Sequence, residues 1–102
     1  MTKDKVLEAV VQCVERFTSM YPDLKAARVD EKLFLETRIR EDRFKTIASH
    51  ALYMQEQIEV FLETGRTEKA MRWLGFLQGV MWMTGVPLSH FKEMNRSDEE
   101  KN

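Results

Sequence analysis

From Glu68 to Gly85 the chain is apolar on nearly every face that a helix would present, and this stretch holds both tryptophans, Trp73 and Trp82. A helix of that kind has to be covered on all sides. A chain of 102 residues has few elements to do the covering, so a partner chain enters the reading at the outset. At about 100° per residue, Ala70, Trp73, Leu74, Leu77, Val80 and Met81 share one broad face, the expected internal core. Gly75 and Gly79 fall on the opposite side, with Met71 and Trp82 along one edge and Phe76 and Met83 along the other.

Glycine costs a helix roughly 1 kcal/mol relative to alanine, so two of them four residues apart point to close approach of another backbone. Two coverings fit the pattern. The first helix of the chain could pack into the strip, or a partner could. A second copy would give a symmetric helical dimer, and a foreign protein would meet a Trp- and Met-rich surface suited to apolar anchors. On the partner reading the contact residues are Met71, Gly75, Phe76, Gly79, Trp82 and Met83.

The rest of the chain supplies a helical scaffold. Four Gly and two Pro leave little room for the turns of an all-β fold, and 43% apolar with 32% charged residues is ordinary for a water-exposed globule. Thr2 is placed to cap a first helix in which Val6, Val10, Cys13, Phe17 and Met20 recur at spacings of three and four, with Leu7, Val11 and Val14 widening the stripe. Tyr21-Pro22-Asp23 ends it, because Pro22 disfavours α geometry at Tyr21 and has no N–H to donate. Asp30 can cap a second helix, although Leu33, Leu35, Thr37 and Ile39 also alternate as a strand would, leaving residues 30–42 open between helix and extended. A lone strand would have an unpaired edge, so helix is the better assignment.

From Phe44 the rhythm is clear, through Ile47, Ala51, Met54, Ile58 and Phe61 to Gly65 as C-cap. Thr67 is expected to cap the third helix and Gly85 to close it, and the short link at Gly65-Arg66-Thr67 makes the two neighbours antiparallel. Pro87 and Ser89 then begin a short helix whose Phe91 and Met94 could fold back as a lid, before a charged tail at 96–102 that frays. The expected fold is all-α: a small helical bundle built on an antiparallel αα-hairpin, with three main helices and a short C-terminal one, forming a single domain over residues 1–95.

Function classes narrow from there. Sixteen Lys plus Arg against seventeen Asp plus Glu give a net charge of −1, so no global field draws the chain to nucleic acid or anionic lipid. Cys13 is the only cysteine, which excludes an internal disulfide and suits a reducing cytoplasm, as does an N-terminal stretch without the apolar core of a signal peptide. The apolar run from Trp73 to Leu88 is too short to span a bilayer and carries Gln78, Gly79 and Pro87. His50 and His90 stand forty residues apart without neighbouring ligands, and Ser49 and His50, adjacent on a helix, point about 100° apart and do not read as nucleophile and base. No catalytic constellation and no cofactor motif stands out.

Two alternatives remain. Glu56, Glu59 and Glu63 could align carboxylates for Mg²⁺ in the manner of all-α nucleotide pyrophosphatases, although a divalent site needs oxygens from more than one helix. Arg38, Arg40, Arg43 and Lys45 could contact nucleic-acid phosphates, although Glu36, Glu41 and Asp42 interleave with them as helix ion pairs.

The run from Glu68 to Trp82, followed by Gly85-Val86 and the stretch Phe91 to Arg96, resembles a block in short accessory proteins of large tailed bacteriophages. The resemblance covers about the last third of the chain. It implies a setting, expression in the cytoplasm of an infected bacterium, rather than a mechanism, and it carries no catalytic residues. The over-apolar third helix and the lack of catalytic chemistry give the expectation of a small homodimeric interaction protein that binds a bacterial or phage protein, and the phage setting adds that it modulates or inhibits host defence or machinery.

Overall fold

The computed structural model describes residues 2–83 and 88–95. Five helices follow in order: α1 (Lys3–Met20), α2 (Glu31–Glu36), α3 (Arg40–Glu63), α4 (Thr67–Met83) and α5 (Leu88–Asn95). Among the described residues there is no strand, and no helix is long and apolar enough to cross a membrane. The expected closure at Gly85, the start at Pro87, the side chains of His90 and Met94, and the tail at 96–102 lie outside the described residues.

The helix ends follow their local chemistry. The Thr2 hydroxyl oxygen accepts from the Lys5 N–H at 3.2 Å, and α1 stops at Tyr21, immediately before Pro22. The Asp30 carboxylate accepts from the Leu33 N–H at 3.1 Å and starts α2. Helical geometry then lapses at Thr37, whose hydroxyl donates to the Leu33 carbonyl at 2.8 Å, and the extended backbone at Thr37 and Ile39 separates α2 from α3. The alternation across residues 33–39 therefore marks a break between two helices, not a strand.

The α3–α4 link is a Schellman turn. Gly65 takes φ +79°, the Arg66 N–H donates to the Phe61 carbonyl at 2.7 Å, and the Gly65 N–H donates to the Leu62 carbonyl at 3.4 Å. Thr67, expected as a cap, is the first helical residue of α4, and the Arg66 carbonyl accepts from the Ala70 N–H. Across the hairpin Phe61 and Trp73 meet edge to face at 4.9 Å between centroids, with Lys69 lying 4.7 Å from the Phe61 ring.

The long helices α1, α3 and α4 pack mutually, and α5 lies against α1. Their shared core buries Val6, Ala9, Val10, Cys13 and Phe17 from α1 against Ala51, Met54, Ile58 and Phe61 of α3 and Ala70, Leu74, Leu77 and Met81 of α4. Phe91 of α5 closes one side, and a reciprocal pair of amide hydrogen bonds, 2.6 and 2.9 Å, joins Gln78 to Asn95. Met20 and Val11, read as core, are exposed instead; Ala9 takes the inward position. Burial pushes the Cys13 thiol up to about 11, keeping it an unreactive core group.

Ile58 is fully buried where the three long helices meet, so Ile58→Ala is expected to cost about 2–5 kcal/mol in urea unfolding. Gly65→Ala, forced into the left-handed region, is expected to cost about 1–2 kcal/mol by the same measurement.

Candidate functional site

The two faces of α4 end up in opposite environments. The inner face is consumed by the core: Ala70, Leu74, Leu77 and Met81 are buried, and Trp73 and Val80 pack at its margin. The outer face is open. Phe76 is 59% exposed, Trp82 55%, Met83 79% and Met71 41%, and a Cβ placed on Gly75 or Gly79 would meet no side chain and no other part of the fold within 4 Å. Thus the six residues read as a contact surface do share one exposed face. The alternative in which the first helix fills the glycine strip is overturned, because α1 packs against the inner face of α4.

A second feature lies beside it. An open cavity of about 730 Å³ sits between the segment leading into α2, α3 and α4, with walls of Phe34, Ile47, Met54, Phe76 and Val80 and polar groups from Arg28, Glu31 and His50. Phe76 belongs to both features, bounding the cavity on one side and the glycine strip on the other. No spacing rule points to this cavity, since its lining combines residues from 28 to 80.

The segment over the cavity is held by few ties. None of the α2 residues is buried, and Leu33 and Leu35 are exposed. The Ala27 N–H donates to the Ser49 carbonyl at 3.1 Å, and the Val29 N–H donates to His50 Nδ1 at 3.1 Å. His50 therefore accepts through Nδ1, in its neutral form, and its ring lies 5.6 Å from that of Tyr53. Burial, and secondarily the charge of Arg28, hold the His50 pKa below its ordinary value.

The basic cluster contributes to the same attachment. Arg43 lies 4.8 Å over the Phe34 ring, tying α3 to α2, while Arg40 lies 5.5 Å over Phe44. Lys45 lies 5.8 Å from the Tyr21 ring and 3.6 Å from a Glu41 carboxylate oxygen, and Arg38 is exposed. Three of the four cations thus rest on aromatic faces. Glu56, Glu59 and Glu63 are exposed on α3, and among the described residues no group of three or more His, Cys, Asp or Glu is placed to hold a metal ion.

The chain matches no protein-family model, no curated protein and no solved structure.

Because the folded His50 pKa lies below the unfolded one, the unfolded chain takes up the proton first. The His50 contribution is fully present above the unfolded value of about 6.5 and is lost as pH falls through the lowered folded value. Urea unfolding at pH 7.5 and 5.5 is expected to show a larger loss of stability for the wild type than for His50→Phe.

Proposed function

We propose that this chain is a small helical interaction protein that works as a homodimer through the outer face of α4. In the bacteriophage setting implied by the resemblance of its last third, the dimer binds a bacterial or phage protein and modulates or inhibits a host or defence function. The observation that carries the reading is the exposure of Met71, Phe76, Trp82 and Met83 around Gly75 and Gly79.

The energetic argument is one of unspent apolar surface. Phe and Trp side chains bury about 150–250 Å² each when covered, so half-exposed Phe76 and Trp82 alone leave roughly 200 Å² bare. With the two methionines the patch reaches the few hundred Å² typical of interaction sites on small proteins. Two such patches facing each other total less than the roughly 1,200 Å² at which stable interfaces begin, the range of weak and transient contacts, so the proposed dimer is one that dissociates on dilution. Helical glycines make that contact closer than alanines would.

The Mg²⁺ and nucleic-acid readings draw no comparable support. Among the described residues no second helix brings further carboxylates to Glu56, Glu59 and Glu63, and of the basic cluster Arg40, Arg43 and Lys45 lie against aromatic rings, Lys45 also beside Glu41.

Light scattering across a dilution series tests the proposal. Wild type is expected to pass from dimer to monomer on dilution, and Gly79→Leu to be monomeric at concentrations where wild type is dimeric. Since no side chain and no other part of the fold lies within 4 Å of a Cβ at Gly79, the variant is expected to keep its helicity and to melt no lower than the wild-type monomer. A monomeric wild type at all concentrations, or a Gly79→Leu variant that stays dimeric or unfolds, refutes it.

A further inference from the structure

We infer that the cavity between the segment leading into α2, α3 and α4 binds an α-amino acid with a large apolar side chain, its zwitterionic head held by Arg28, His50 and Glu31. This site goes beyond the dimer reading and does not depend on it. Of the outer-face residues of α4, only Phe76 reaches the cavity.

The lining is divided by chemistry. Its buried part is apolar, made by Ala51 and Met54 of α3 and Leu77 of α4, and the rings of Phe34 and Phe76 add aromatic surface. The polar part is gathered in one place. The Val29 N–H donates to His50 Nδ1, and Arg28 and Glu31, which also line the cavity, stand immediately before Val29 and two residues after it. A volume of about 730 Å³ lies within the roughly 300–1,000 Å³ of small-molecule sites, and an apolar lining with a few convergent polar groups is their usual composition.

Each of the three polar side chains has capacity that the fold leaves unused. With Nδ1 accepting, the neutral ring of His50 carries its proton on Nε2, and this N–H meets no acceptor among the described residues. The Arg28 and Glu31 side chains likewise make no ion pair, hydrogen bond or ring contact among the described residues. Burial, and secondarily the charge of Arg28, disfavour the imidazolium, so at neutral pH the lining carries one cation and one anion. Of the neighbouring charges, Asp30 is turned to the Leu33 N–H as the α2 cap, and Arg43 lies over the Phe34 ring.

That balance selects the ligand. A simple carboxylate meets a like charge in Glu31, and a simple amine meets one in Arg28. An α-amino acid answers both: its carboxylate accepts from the Arg28 guanidinium and the His50 Nε2–H, and its ammonium donates to Glu31. Its side chain then displaces water from the apolar lining.

Amide shifts followed by NMR during titration with L-tryptophan test the site, with two matched compounds beside it: indolepropionate, which lacks the amino group, and tryptamine, which lacks the carboxylate. Tryptophan is expected to give saturable shifts at Val29, His50, Ala51 and Leu77. The two half-ligands are expected to bind about two- to fivefold more weakly, the worth of one exposed ion pair. Arg28→Ala is expected to remove the advantage of tryptophan over tryptamine, and Glu31→Ala its advantage over indolepropionate. Both side chains are exposed, so the same spectra are expected to show the fold intact. Absence of saturable shifts at the cavity amides overturns the inference, as do equal affinities for the three compounds or an advantage that survives its substitution. Shifts confined to Gly75, Gly79 and Trp82 place the ligand on the outer face of α4 and overturn it as well.

Discussion

A bundle of three long helices has a single interior, and α4 carries apolar side chains on two sides. The short Schellman link at Gly65 fixes α4 antiparallel to α3, and α1 then lies across both, so Leu74, Leu77 and Met81 are buried between them. That packing uses every long helix in the chain. Nothing of comparable length remains to cover Phe76, Trp82 and Met83, and their exposure follows from the number of helices as much as from the residues themselves. An apolar face is left open by this arithmetic.

The remaining structure hangs from the same three-helix frame by weaker ties. The segment from Ala27 through α2 contributes no buried residue; it is attached through two backbone donors to Ser49 and His50 and through Arg43 against Phe34. Standing off α3 in this way, it leaves the cavity bounded by Phe34, Met54 and Phe76. Arg43 of the basic cluster and the lone His50 act here as fasteners. A cation over an aromatic ring and a neutral imidazole accepting from a backbone N–H hold a short helix that has too little apolar surface to hold itself.

Local signals were well expressed in the chain. Thr2, Asp30 and Gly65 act as the caps their residue types imply, Pro22 ends α1 where its missing N–H requires, and the inner face of α4 is the one given by its angular pattern. Legibility failed where long-range placement decides. Met20 and Val11 continue the α1 stripe in spacing, yet they lie exposed while the small Ala9 is buried at the contact. Thr37 to Ile39 looked like part of one continuous element because alternation and helical rhythm overlap in so short a run. The cavity and the His50 acceptor role involve residues twenty or more positions apart, and no local pattern encodes them.

The sequence by itself determined that the chain is helical, where α1 begins and ends, where α2 begins, where α3 gives way to α4, and that α4 carries a glycine strip walled by large apolar side chains opposite its core-facing side. These follow from 3.6-residue periodicity and from the stereochemistry of Gly, Pro and capping side chains, which act within a few residues. Only the tertiary structure decided that α1 packs on the inner face and leaves the glycine-bearing face in water. Periodicity gives the angle between faces but is blind to how many neighbours exist to cover them, and that number is set when α1 and α3 close over the inner face.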